Sequence, residues 1–437
     1  MTGISSLRVR RNVRTIKKEG EDMSDQDALL LKRIAEQLGK EPFVSYDSEG
    51  HPVLLALMAK DGTHIPEEVW ECRSVQELRL VGFRLDQLPA DIAKLTQLRS
   101  LRILSSTIGA FPSTMQALSQ LEKLEGDGAH LEDITALCRL PALRILQLKH
   151  CGLRQLPPEI GQLQRLEVLQ LSQNQVTQPP ATLGTLQQLQ ELDLSNNPIE
   201  DLPESLYQLH QLQNLSLWHT ALREVSPLLS QLTSLRQLSL GWTHIKELPV
   251  EIGHLAALTG LNLNRTSLRT LPDSLWNLAS LRVLMLAHMP ITRLPPEISR
   301  LTQLTALYLS GSGLTTLPAE LWELSSLKIL YLNELGLREL PPEIGRLTNL
   351  ETLSVRRNLL QGLPAEMKKL EQLKTLDISE NPLVELPTWL ADFPRLEGLD
   401  VYDLPLLCIP PRKVIMQGMD AVLEYLRKRK ASGKERS

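Results

Sequence analysis

The sequence predicts an α/β fold: a solenoid curved into a horseshoe, with a parallel β-sheet on its concave side and capping helices at both ends. Three observations carry this. The 437 residues include 95 leucines but only 16 aromatic residues, so about half of the apolar content is one residue type. The frame L-x-x-L-x-L-x-x-(N/T/S)-x-L-x-x-L-P-x-x-(I/L)-x-x-L-x-x begins at positions 75, 98, 121, 143, 166, 189, 212, 235, 258, 281, 304, 327, 350, 373 and 396. Thirteen of the fourteen intervals are 23 residues, which is the signature of a repeat array.

Taken in chain order, residues 1–23 read as a mobile basic tail carrying Arg8, Arg10, Arg11, Arg14, Lys17 and Lys18. No apolar segment follows these cations, so no Sec-type signal peptide is expected. Residues 24–74 read as an N-terminal cap. Ser24 is a helix N-cap, Leu29, Leu30, Ile34 and Leu38 follow on a helical period, and Gly39 ends the helix. Residues 43–57 read as a hairpin turning near Ser48-Glu49-Gly50. A degenerate repeat beginning near Pro52 places Ile65, Pro66, Val69 and Cys72 at the frame's offsets.

Residues 75–411 form the repeats. The L-x-x-L-x-L segment alternates as a strand does, so Leu192 and Leu194 face inward and Glu191 and Asp193 face the other way. One such strand buries too little to stand alone; stacking pairs each strand with the next and merges the leucines into one core. Proline after the second-half leucine, as at Pro203 and Pro272, favours 3₁₀ turns on the outer side. The ninth position, Asn174, Asn197, Asn358 and Asn381 in some copies and Thr220, Thr243 and Thr266 in others, satisfies backbone groups between coils. Cys151 stands at this position and is expected to be buried. The irregular copy runs from 121 to 143, where one residue is missing and Gly126 replaces a strand leucine. Cys138 is shifted off the leucine register there and is expected to be the most exposed cysteine. Residues 412–437 read as a helix presenting Ile415, Met419, Val422, Leu423 and Leu426 to the last coil, then a solvated basic tail from Arg427 to Arg436.

The segments Leu156-Pro157-Pro158-Glu159-Ile160-Gly161, Leu294-Pro295-Pro296-Glu297-Ile298 and Leu340-Pro341-Pro342-Glu343-Ile344-Gly345 resemble the leucine-rich repeat (LRR) superfamily. Within it they resemble the 23-residue Ras-suppressor and plant intracellular Ras-group class, which has bacterial members. The resemblance covers about residues 52 to 411, and the passage from Ile409 to Leu426 is similar to that class's terminal segment. It implies an LRR solenoid serving in intracellular signalling or regulation, with a small GTPase-like partner as one expectation.

Composition narrows the function. Charged residues make up 22% of the chain, and no apolar run reaches the roughly 18 residues that a membrane span needs. The formal net charge of −4 gives no general drive toward nucleic acid or anionic membrane. Cys72, Cys138, Cys151 and Cys408 lack disulfide or metal-ligand spacing, which suits a reducing cytoplasm. The frames G-x-x-x-x-G-K-[ST], H-E-x-x-H, G-x-S-x-G and C-x-x-C are absent. Gly126-Asp127-Gly128 lacks the lysine and helix of a phosphate loop, and no histidine is placed to activate Cys138. The expectation is a non-enzymatic, monomeric protein-interaction scaffold without metal or cofactor.

The frame assigns a binding surface. Positions 3, 5, 7 and 8 of each copy lie on or beside the concave face, and residues 23 apart are lateral neighbours. The eighth-position row reads His219, Trp242, Arg265, His288, and the fifth-position row reads Asn262, Met285, Tyr308, Tyr331. Trp218 and Asn264 are at the seventh position, and His244 lies just past the strand. Trp, Tyr, Met and Arg are the residue types that dominate interface energetics, and Trp242 beside Arg265 predicts a cation–π contact. The Ser310-Gly311-Ser312-Gly313 run is expected to leave space between the tyrosines for a partner side chain. The bland alternative is that long side chains cover one another on a broad sheet. His219 and His288, three strands and roughly 14 Å apart, are too distant to share a metal. Tyr207, Trp276 and Trp322 recur at position 19 and are expected to pack over the outer turns. Cations (Arg79, Arg102, Lys123, Lys149) toward one end and carboxylates (Asp377, Glu380, Asp400, Asp403) toward the other, after Arg356 and Arg357, are read first as solvated charge, and in the alternative would orient a polar partner. Two rival readings remain: a bacterial effector delivered into a host cell to recognise a host protein, as in ubiquitin-ligase-like systems, and glycan or small-ligand binding on the concave aromatics.

Overall fold

The computed structural model describes residues 24–433; the predicted basic tail at 1–23 lies outside the described residues. Proximity of the backbone divides the chain after Gly152 into two compact units. Both are leucine-rich solenoids, with short parallel strands on one face, 3₁₀ turns on the other, and helices at the chain ends.

The first unit opens with helix α1 (Asp25–Leu38), capped by the Ser24 side chain accepting from the Asp27 amide and closed by Gly39 in the left-handed region. Its buried stripe is Leu31 and Ile34. Leu29, expected on that stripe, is 50% exposed, because five residues before Ile34 it sits well off the helix's inner face. Strand β1 (Phe43–Tyr46) pairs antiparallel with β2 (Pro52–Gly62), giving the predicted hairpin. The Asp47 side chain holds its turn by accepting from the amides of Glu49 and His51. On its other side β2 runs parallel to β3 (Glu77–Gln87), so the hairpin feeds directly into the repeat sheet.

The irregular copy absorbs its missing residue in a short outer turn, Leu137–Arg139. This overturns the expectation for Cys138. That turn draws both Leu137 and Cys138 inward, leaving Cys138 only 1% exposed with its thiol donating to the Ile134 carbonyl. Cys151 is buried as expected, donating to the carbonyls of Gly126 and Lys149. Cys408, in the second unit, is the exposed cysteine.

In the second unit, three-residue strands from Val168–Gln170 to Gly398–Asp400 pair in parallel with a constant register. The register follows from the frame. Leu192, Leu215, Leu238 and Leu261 sit opposite one another and are at most 2% exposed, so a one-residue slip would turn the whole row out to water. Burying such a leucine stabilises by roughly 1.5–3 kcal/mol. A proline precedes most outer 3₁₀ turns, as Pro203 does before Glu204–Gln208. Tyr207, Trp276 and Trp322 lie inside these turns at 3%, 0% and 2% exposure instead of over them. They are core.

The buried asparagines tie coil to coil. Asn358 accepts from the amides of Leu335 and Leu337 and donates to the carbonyls of Leu332 and Val355. Asn381 repeats the pattern one coil on.

At the chain's end the predicted single helix is two, α2 (Arg412–Ile415) and α3 (Met419–Ala431), separated around Gly418, whose φ is 92°. Val422, Leu423 and Leu426 face inward. The start of the basic tail is not simply solvated: Arg429 pairs with Glu385 at 3.6 Å and Lys430 with Asp392 at 2.6 Å, so cations of α3 dock on acids of the last coils.

Candidate functional site

The surface is organised by one backbone feature. In all fifteen copies the eighth residue is left-handed: glycine at 82, 128 and 311, and other residue types in the remaining twelve, including His219, Trp242, Arg265 and His288 at φ 56–58°. A side chain in that region costs about 1–2 kcal/mol. In the coils of the second unit that carry the candidate residues this is offset by a hydrogen bond from that residue's amide to the seventh carbonyl of the next coil: His219 to Gly241 at 2.8 Å, Trp242 to Asn264 at 2.7 Å, Arg265 to Ala287 at 2.9 Å. The turn swings the eighth side chain off the strand face toward the edge where the strands enter their loops.

That edge carries a ring cluster. The Trp218 and Trp242 centroids are 6.1 Å apart in an edge-on arrangement, His219 lies 5.3 Å from Trp218 and 5.7 Å from Trp242, and the Arg265 guanidinium sits 4.6 Å from the Trp242 centroid. The predicted cation–π contact is therefore formed. His219 Nδ1 is 2.8 Å from the Asn196 side-chain oxygen, extending the row to a fourth coil. Gly241 makes this packing possible: a β-carbon there would stand 3.0 Å from the Asn264 carbonyl oxygen and 3.2 Å from the Trp218 indole. Trp242 remains 44% exposed.

Beside the cluster runs a groove of about 540 Å³ with walls from His219, Trp242, His244 and Arg265. Asn196, Asn197, Pro198, Ala221 and Ser267 also line it, and sequence reasoning missed them. Ala221 and Ser267 occupy the tenth positions of coils already singled out, whereas Asn196, Asn197 and Pro198 are the eighth to tenth residues of the coil before them, so extending the rows by one coil and two positions would have found them. The groove coincides with a break in the asparagine ladder. Thr220, Thr243 and Thr266 each donate to the carbonyl three residues back in their own coil, a shorter reach than that of Asn358.

The fifth-position residues form a second group. Asn262, Met285, Tyr308 and Tyr331 are lateral neighbours in register, and the two tyrosine rings stack at 5.1 Å with planes 10° apart. Burial, with the neighbouring Tyr331, raises the Tyr308 hydroxyl above its ordinary pKa. The expected space between the tyrosines is not there. Their rings close on each other, and the room left by Gly311 is taken by the His288 imidazole, which a β-carbon at that position would overlap. Asn262 and Asn264 are partly committed to the scaffold: the Asn262 oxygen accepts from the Asn264 amide and the Asn264 oxygen from the Ala287 amide. The predicted residues thus fall into an edge cluster (Trp218, His219, Trp242, His244, Arg265) and a strand-face row (Asn262, Met285, Tyr308, Tyr331), with Asn264 and His288 serving packing and backbone.

The expected polarity is weaker than the sequence suggests because its charges pair locally. In the first unit Arg79 bonds Glu77 at 2.6 Å, and Arg102 and Lys123 both bind Glu125. In the second, Arg356 binds Glu380 through Nε at 2.8 Å, and Arg357 approaches Glu334 at 3.6 Å. Arg265 makes no ion pair among the described residues. No group of three metal-ligating side chains occurs among the described residues, and no described helix is long and apolar enough to cross a membrane.

A family model described as a leucine-rich repeat region matches residues 127–242 and 319–408. A leucine-rich repeat protein of Leptospira interrogans is 33% identical over 82% of this chain and 89% of its own, with a TM-score of 0.72. The chain belongs to the leucine-rich repeat family, whose members commonly act as protein–protein interaction scaffolds. An internalin, InlF, of Listeria monocytogenes shares the fold at 20% identity over 81% of this chain and 95% of its own, with a TM-score of 0.60. TLR13, solved in complex with the RNA ssRNA13, is 26% identical over 80% of this chain and 54% of its own, with a TM-score of 0.65. No curated protein matches the chain.

Proposed function

We propose that the chain is a non-enzymatic scaffold that docks a protein partner on the second unit, chiefly through Trp218, His219, Trp242, His244 and Arg265 beside the groove, with Met285, Tyr308 and Tyr331 flanking it. The observation that carries this reading is Trp242. An indole left 44% exposed, with the guanidinium of an arginine that makes no ion pair over its ring, presents apolar and cationic surface that the leucine core does not use. It supplies the two residue types most enriched among interface hot spots. The groove beside it gives an incoming side chain a place to be desolvated.

The chain is a bacterial member of the 23-residue Ras-suppressor-like class, works as a monomer, and serves intracellular regulation. The Leu-Pro-Pro-Glu-Ile segments and the match to a Leptospira protein support that placement. The experiment is affinity capture with wild type beside a Trp218→Ala/Trp242→Ala/Tyr308→Ala variant. The triple variant loses the partners that wild type retains; recovery of the same set by both removes this surface from the function.

A further inference from the structure

Building on the docking surface just proposed, we infer that its occupant is an acidic, extended peptide segment of the partner, crossing the strands with a carboxylate on Arg265 and an apolar side chain against Trp242. The charge pattern is the first argument. In the five coils beginning at 212, 235, 258, 281 and 304, none of the 25 residues at positions 3, 5, 7, 8 and 10 is Asp or Glu. The same positions hold Arg265, His219, His244 and His288. This stretch lies in a chain with four more acidic than basic residues, and carboxylates stand on both sides of it: Glu191 and Asp193 before, Glu334 after.

Arginine pairing is the second argument. Arg356 and Arg357 on the same unit are neutralised by glutamates, whereas Arg265 meets only the Trp242 ring. With its carbon over the Trp242 ring and no ion pair among the described residues, the Arg265 guanidinium has N–H donors left for a carboxylate, which it can pair in bidentate fashion. The length also fits. Five coils at roughly 4.8 Å spacing span roughly 19 Å from first to last, the reach of about six extended residues. A nucleic acid places a charge on every nucleotide and calls for repeated cations; this groove offers one guanidinium between acidic flanks, which favours a peptide with one or two central carboxylates.

The test uses the full chain and a phage-displayed library of random octapeptides, with a fluorescein-labelled random ten-nucleotide RNA as a second probe. Wild type enriches octapeptides with Asp or Glu next to an apolar residue. Affinity for the enriched peptide falls about tenfold or more in Arg265→Gln, further in Arg265→Glu, and comparably in Trp242→Ala. Both side chains are exposed, and a thermal melt of each variant confirms that it is folded. Neutral or basic peptides that still depend on Trp242 overturn the acidic occupant and leave the docking surface standing. Peptides that bind all variants equally overturn both. Absence of enrichment, or RNA binding that Trp242→Ala abolishes, also overturns the acidic peptide.

Discussion

Replacing Asn358 with alanine isolates what holds adjacent coils together. The side chain is 4% exposed and makes four hydrogen bonds of 3.1 Å or less: two accepted from Leu335 and Leu337, two donated to Leu332 and Val355. Alanine leaves two amides and the Leu332 carbonyl without this partner, in a loop where water has little access, while the Val355 carbonyl keeps its bond from the Asn381 side chain at 2.9 Å. At about 1 kcal/mol net per hydrogen bond, with more for groups left buried and unpaired, the expected loss is about 3–5 kcal/mol. Thr243→Ala is the internal comparison. It removes a single bond, to the Leu240 carbonyl at 2.6 Å, and is expected to cost about 1 kcal/mol. Urea unfolding followed by circular dichroism gives the difference. Because repeat arrays can lose cooperativity, amide exchange at Leu335 and Leu337 gives a local readout of the same bonds. An Asn358→Ala variant no less stable than Thr243→Ala, with both amides still protected, would refute the claim that asparagine ties the coils.

Three further outcomes follow from the structure. In the native protein a maleimide probe labels Cys408 alone among the four cysteines, since burial pushes the Cys72 thiol up to about 12 and the Cys151 thiol up to about 11; native labelling of Cys138 would show that its outer turn opens. Hydrogen bonds from Lys374 and Lys328 hold the Glu351 carboxyl at about 2, below its ordinary 4.5. Its stabilisation is therefore present above about pH 4.5 and lost as pH falls toward 2. Glu351→Gln is less stable than wild type at pH 7 by about 0.5 kcal/mol, the scale of a solvent-screened pair, and the gap closes in acid; a pH-independent gap would point to packing instead. Gly336→Ala meets no neighbouring atom and loses only the backbone part, about 1–2 kcal/mol in a thermal melt, whereas Gly311→Ala strains a φ of 64° and also displaces the His288 ring, so it loses more. Equal losses at the two glycines would contradict the placement of the imidazole.

Much of the fold could be read from the sequence because the leucine frame leaves a strand one register: an error of one residue exposes the whole inner row. The caps of α1 were readable too, since Ser24 and Gly39 act through local backbone geometry. Failures came where that periodicity ends. Cys138 was misplaced because a deletion can be absorbed in an outer turn as readily as it shifts a side chain outward. Of the site, the Trp242–Arg265 contact followed from lateral adjacency alone. The separation of edge cluster from strand-face row did not, because it depends on the left-handed eighth residue, which twelve non-glycine positions conceal. The capture of Gly311's space by His288 is a rotamer choice, invisible to spacing.

Under the proposed function, partner affinity resides in the edge cluster of the second unit. Isothermal titration of a partner recovered by capture, against wild type, Trp242→Ala and Val250→Ala, tests it most directly. Val250 is 64% exposed at the start of an outer 3₁₀ turn and serves as a control for loss of an exposed apolar side chain. Trp242→Ala is expected to weaken binding at least about tenfold, or about 1.4 kcal/mol, with Val250→Ala unchanged. Wild-type affinity in Trp242→Ala, or equal losses in the two variants, would contradict it.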